Sequence, residues 1–144
     1  MLQLTPEQIV EIADQLESGC KCFVNKKTNS LVCYPDELRM PVDDTELFEE
    51  EMAQINKNPD DFVLISSMDS RESFGVMEDF VTTVKNKALQ DKLSAALGQP
   101  KPFQKFKYAI DHAGAYREKW FAFKREQYIN WVEKQVAAIF DIDL

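Results

Sequence analysis

An α+β fold is what this chain predicts: a small three-stranded, mainly antiparallel sheet (a hairpin plus one strand) packed by about six helices. Three observations carry the expectation. Two short runs of strand-favouring residues flank a polar turn between Cys20 and Pro35. A four-residue apolar run, Phe62 to Ile65, follows later and adds a third strand. Most of the remaining chain repeats apolar residues every three or four positions, the period of a helix with one buried face. The order is helix, hairpin, helix, strand, then helices to the end, read as one domain over residues 1–144.

The elements can be justified in turn. Thr5-Pro6-Glu7-Gln8 reads as a helix start, with Thr5 as N-cap, Pro6 in the first helical position and Gln8 closing a capping box. Ile9, Ile12, Ala13 and Leu16 then share a face, and Ser18-Gly19 ends the helix. In the hairpin, a loop centred on Lys27-Thr28 pairs Val24 with Leu31 and Cys22 with Cys33. Strand alternation then puts Cys20, Cys22, Val24, Leu31 and Cys33 on one face, with Asn29 suited to a left-handed turn position. Pro35 and Pro41 frame a polar connection. Asp43 with Glu46, or Asp44, caps a second helix that turns Phe48, Met52 and Ile55 inward and stops at Asn58-Pro59.

After the buried strand 62–65, Asp69 and Glu72 form a second capping box. Phe74, Met77, Val81 and Val84 follow at helical spacing with Phe80 alongside; Leu89, Leu93, Ala96 and Leu97 make a shorter helix closed by Gly98. The stretch from Pro102 to Trp131 is two helices about a hinge at Gly114. Phe103, Phe106, Ile110 and Ala113 form the first apolar stripe. Both tryptophans, Trp120 and Trp131, lie in the second with Tyr116, Phe121, Phe123 and Tyr128, so this stretch is expected to floor the core. The acidic end, FDIDL, is expected to fray.

Composition narrows the function classes. A hydrophobic share of 44% and a charged share of 29% describe a folded protein rather than a disordered one. No apolar run approaches the roughly 20 residues that span a bilayer. The first ten residues lack the basic start and apolar stretch of a signal peptide, and three cysteines do not make a disulfide framework, so the expected location is the cytoplasm. The net charge of -8 argues against non-specific nucleic-acid binding by the whole surface. Charge is uneven, however. Residues 99–125 hold seven of the 17 basic residues and two of the 25 acidic ones, so that segment is +5 and the rest -13.

Several motifs occur in an order that resembles a known family. Ser70-x-Glu72-x-Phe74-x-x-Met77-Glu78-Asp79-Phe80 precedes a Leu97-Gly98 turn, then Phe103-Gln104-Lys105-Phe106-Lys107, then Trp120-Phe121. This resembles the bacterial UPF0158 family, with its MEDF-type helix, its F-R-R-F-K segment and a downstream Trp-aromatic pair. The turn Thr28-Asn29-Ser30 is similar to that family's Thr-Gly-Glu, with Asn29 in the glycine place. The resemblance runs from about Gly19 onward. The chain departs from the family pattern at Gln104 and Lys105, where two arginines are usual, and in the turn Gly98-Gln99-Pro100-Lys101-Pro102. Both changes reduce bidentate arginine chemistry there. The resemblance implies a bacterial cytosolic protein and no particular activity.

Three candidate chemistries remain. Cys20, Cys22, Cys33 and the single histidine, His112, are the residue types of a Cys3His zinc site. Yet C-x-C is not the usual zinc-knuckle spacing, and cysteines sharing a face with Val24 and Leu31 read better as packing. Glu78 and Asp79, flanked by Met77 and Phe80, could serve as acid or base with His112, although acids at the edge of a stripe more often pair with lysine or arginine. The chain has no G-x-S-x-G, H-E-x-x-H, P-loop, G-x-G-x-x-G or EF-hand loop, and no motif implies a cofactor. The third candidate is the cationic set Lys101, Lys105, Lys107, Arg117, Lys119, Lys124 and Arg125 among the aromatics. The preferred reading is a non-catalytic interaction or regulatory protein using this basic face for an acidic protein partner or for self-association. An enzyme or metal-binding protein centred on Glu78, Asp79 and His112 is the alternative. Nucleic-acid binding through the basic, aromatic-rich helices is the second.

Overall fold

Helix α1 (Pro6–Glu17) begins where the local signals put it. Thr5 Oγ1 accepts from the Gln8 N–H at 3.1 Å, and Gln8 Oε1 accepts from the Thr5 N–H at 3.0 Å, so two of the helix's orphan donors are satisfied reciprocally. The computed structural model describes residues 4–36 and 48–141. The chain divides into two compact units. One comprises residues 1–67 and 128–144, the other Met68 to Gln127.

The first unit is built on a sheet of order β2-β1-β3, from β1 (Cys20–Asn25), β2 (Leu31–Pro35) and β3 (Phe62–Ile65). Both pairings are antiparallel, and the hairpin register is Cys22 with Cys33 and Val24 with Leu31. Asn29 takes φ 62 in the loop, the left-handed conformation its short polar side chain tolerates. Helix α1 covers the face bearing Cys22, Val24 and Ile65, and buries Ile12, Ala13 and Leu16 against it. Each of the larger side chains contributes about 1.5–3 kcal/mol by leaving water. Gln8 Nε2 also donates to the Asn29 carbonyl at 2.9 Å, tying the helix start to the hairpin loop.

Two expectations are corrected here. Strand β3 is not buried throughout: Ile65 is, but Leu64 is 45% exposed. Alternation sends Leu64 to the opposite face, where Phe23 and Tyr34 stack at 5.9 Å and cover is partial. Helix α2 (Glu49–Lys57) buries no residue, and Met52 is 39% exposed while Phe48 and Ile55 are half-buried. Nine residues with so few apolar positions give it no continuous inward stripe. The proposed caps Asp43, Asp44 and Glu46 lie outside the described residues. Asn58 ends α2, and Pro59–Asp61 forms a 3-10 turn that leads into β3.

The second unit is helical. Helix α3 (Ser70–Thr83) opens on the capping box of Asp69 and Glu72. Helix α4 (Lys87–Leu97) is capped by Asn86 and closed at Gly98. Helix α5 (Pro102–Asp111) follows Lys101, which takes the left-handed conformation at φ 55 ahead of Pro102 in the first helical turn. Gly114, at φ 61, turns the chain into α6 (Tyr116–Asp141). The core of this unit joins Met77, Phe80 and Val81 of α3 to Leu93 of α4, Phe106 and Ile110 of α5, and Trp120 of α6. Helix α6 bears two stripes: Tyr116, Trp120 and Phe123 face this core, whereas Tyr128, Val132 and Val136 are buried further along, within the first unit.

At the first unit's end of α6, Gln135 and Trp131 hold the residue after β3. The Ser66 N–H donates to Gln135 Oε1 at 2.9 Å, Gln135 Nε2 donates to Ser66 O at 2.8 Å, and Trp131 Nε1 donates to the same carbonyl at 2.7 Å. A side-chain amide thus satisfies backbone groups that an edge strand would otherwise leave to water. Among the described residues, no helix is long and apolar enough to cross a membrane.

Candidate binding groove

The second unit's aromatic residues do two different jobs. Phe106 and Phe80 set their rings edge-on to Trp120, with centroids 5.0 and 5.2 Å away, which fixes the indole in the core. Phe103 and Phe121 do not join them, and each is 42% exposed. This corrects the expected stripe of α5, in which Phe103 was to face inward. Phe103 sits at the stripe's edge, where its ring and that of Phe74 meet in a T-shaped arrangement with centroids 6.4 Å apart. Phe121 follows the buried Trp120 directly and points about 100° around the helix from it, toward the edge of the buried face.

Between α3, α5 and the start of α6 these residues leave a groove of about 560 Å3. Met77, Phe106, Ile110 and Trp120 make its apolar floor. Phe103 and Phe121 stand on its walls with Lys107, Arg117, Lys124 and Asp111. Arg117 is held in place: its Nε donates to Asp111 Oδ1 at 3.2 Å, its Nη1 lies 3.6 Å from Glu118 Oε1, and its guanidinium carbon is 4.8 Å from the Phe121 ring centre. It therefore bridges the ends of α5 and α6 across the Gly114 turn and is largely neutralised. Lys107 and Lys124 are different. Among the described residues neither has an acidic partner.

The seven cations singled out from the sequence do not form one face. Lys107, Arg117 and Lys124 gather in the groove. Lys105 is two residues from Lys107, about 200° around the helix. It lines a separate depression with Lys92, Gln99 and Tyr108 between α4 and α5. Lys119 lies over the Tyr116 ring at 4.8 Å, and Lys101 sits exposed ahead of α5; Arg125 is exposed on α6. Glu78 and Asp79 are both exposed on α3, and neither lines the groove. His112 is exposed at the end of α5, where its Nδ1–H donates to the Tyr108 carbonyl at 2.7 Å, so that proton is already committed. Among the described residues, no three His, Cys, Asp or Glu side chains converge on a point where a metal ion could sit. Cys20, Cys22 and Cys33 belong to the first unit and His112 to the second.

Charge separates the units as well. Residues 68–127 hold eleven of the 17 basic and eight of the 25 acidic residues, giving +3, and the remainder of the chain carries -11. The groove thus combines an apolar floor, exposed aromatic walls and two ammonium groups with no acidic partner among the described residues, in the unit with a positive balance.

Comparison with known proteins places the chain. The model of an uncharacterised protein family, UPF0158, matches residues 14–144. The chain belongs to this family. A relative, the UPF0158 protein PA5073 of Pseudomonas aeruginosa, is 27% identical over 79 residues, covering 55% of this chain and 52% of that protein. The chain therefore matches about half the length of that curated relative. No solved structure matches the chain. In this chain α3 contributes Met77 to the groove floor, while the adjacent Glu78 and Asp79 are exposed to solvent.

Proposed function

We propose that this protein is a non-catalytic bacterial interaction module, working in the cytoplasm, whose second unit binds an acidic segment of a protein partner in the groove between α3, α5 and α6. The observation that carries this reading is the pairing of exposed Phe103 and Phe121 with Lys107 and Lys124 over an apolar floor. Interfaces favour this composition: aromatic anchors supply the buried area, and rim cations select the charge of the partner. A peptide carrying one large apolar side chain between two carboxylates would fill the floor and meet both ammonium groups. Lys105, which the sequence grouped with them, takes no part.

Selection of a random peptide library against the full chain tests the proposal. Enriched sequences should combine Asp or Glu with a large apolar residue. Their affinity should fall about tenfold, roughly 1.4 kcal/mol, for the double variant Lys107→Glu/Lys124→Glu. Lys105→Glu should leave it unchanged. Absence of enrichment, or binding indifferent to the double change, would remove the groove from consideration, and selection of single-stranded nucleic acid instead would support the rival class.

A further inference from the structure

The hairpin holds a second chemistry, independent of the groove. Cys22 and Cys33 are directly opposite one another in the β1–β2 pairing. The Asn25 N–H donates to Ser30 O at 2.9 Å, making 25–30 a hydrogen-bonded pair. Alternation along the ladder then makes 22–33 a non-hydrogen-bonded pair, the kind in which Cα atoms approach to about 4.5 Å and side chains lie closest. That separation is inside the window of roughly 4.4–6.8 Å over which cysteines can be bridged. The two sulfurs are 3.0 Å apart and share an S–H···S hydrogen bond, so about 1 Å of closure would reach a bond of about 2.05 Å. Both thiols are free.

Their surroundings differ in a useful way. Cys22 is fully buried, its sulfur 4.0 Å from the Ile12 carbonyl under α1. Cys33 is half-buried on β2, an edge strand of the sheet. The shared hydrogen bond pushes Cys33 below the usual thiol range and Cys22 above it, and burial adds to the rise at Cys22. The reactive form, the thiolate, therefore falls on the sulfur that solvent can reach. Cys20 shares their face but stands opposite Pro35, with no thiol across the strand.

We propose that Cys22 and Cys33 form a modification site, a cross-strand dithiol that a low-molecular-weight disulfide of the glutathione type closes reversibly. The Cys33 thiolate attacks one sulfur of the small disulfide, breaking its S–S bond and releasing one thiolate, to leave a mixed disulfide on Cys33. The Cys22 sulfur then attacks the Cys33 sulfur and expels the second small thiolate. The protons of the two protein thiols go to the two released thiolates, and the two electrons reside in the new small thiols. Excess thiol reverses both steps. The product staples the hairpin 22–33 under α1.

The test uses the full chain in a mixture of reduced and oxidised glutathione, quenched by alkylation and digested with trypsin. Cleavage after Lys21, Lys26 and Lys27 puts Cys20 in peptide 1–21, Cys22 in 22–26 and Cys33 in 28–39, so the three thiols are read separately. The expected result is a mass fall of about 2 Da in the intact chain and a cross-link between peptides 22–26 and 28–39, both reversed by dithiothreitol. Cys20 should remain alkylated, and Cys20→Ser should behave like the parent. Cys33→Ser, checked as folded by circular dichroism, should form no intramolecular bond. Three fully alkylated thiols in the folded chain, a cross-link through Cys20, or a stable glutathione adduct on Cys33 would each overturn the proposal.

Discussion

The sheet unit and the helical unit solve the burial problem by different means. In the first, backbone pairing fixes position: every strand has a defined register, and α1 lies over one face with its start tied to the hairpin loop. In the second, position comes from ring packing, with Phe80 and Phe106 gripping Trp120 among four helices. Side chains on a sheet face form a surface that one helix can cover, whereas helices crossing one another leave furrows between their ridges. The furrow between α3, α5 and α6 is not filled, and its walls keep two aromatic rings in solvent. The comparison teaches that the acidic sheet unit has the paired thiols, while the cationic helical unit has the open groove.

The largest expected effects would break this comparison most directly. Each unit holds one tryptophan, Trp120 in the second and Trp131 in the first, so single-tryptophan variants report on them separately. Phe106→Ala should cost about 3–5 kcal/mol, and Leu16→Ala about 2–5 kcal/mol, since both side chains are almost fully buried. Denaturant titration should show the first loss in Trp120 emission and the second in Trp131 emission. Equal losses at both probes would mean that the two units unfold as one cooperative block.

Smaller changes sharpen the picture. Gln135→Ala removes both hydrogen bonds to Ser66 and should cost about 1–2 kcal/mol, seen as a lower denaturation midpoint for Trp131. Thr5→Ala and Asp69→Ala each delete one side of a capping box and should cost about 1 kcal/mol, the former in the sheet unit and the latter in the helical one. Phe121→Ser should likewise lower stability by only about 1 kcal/mol, because the residue is 42% exposed and loses only part of a buried ring, yet it should weaken peptide capture by about tenfold. If it unfolds the unit instead, the ring is part of the core and the groove loses a wall.

Much of the fold was legible because its signals are local. A capping box needs only two residues three apart, and both predicted boxes close in both directions. Hairpin register follows from loop length and alternation, which is why Cys22 meets Cys33 and Val24 meets Leu31 as expected. The site was less legible. Charge counting marked the stretch that contains Lys107, Arg117 and Lys124 of the groove, and it also took in Lys105 and Lys119, which do not line it. Helical angle alone could have separated Lys105 from Lys107. Nothing local showed that Asp111 would neutralise Arg117, because that pair depends on how α6 departs from the Gly114 turn.

By itself, the sequence determined the element order, the two capping-box helix starts, the hairpin and the uneven charge, since each is set by residues within a few positions of one another or by simple count. The strand order β2-β1-β3 was left to the tertiary structure. Tertiary structure decided which apolar side chains stay outside. Phe103 and Phe121 are as hydrophobic as Phe80 and Phe106, and only the crossing of three helices leaves the first pair on the walls of a groove and seals the second pair around Trp120. Burial is a property of what arrives from elsewhere in the chain, and no local pattern carries that information.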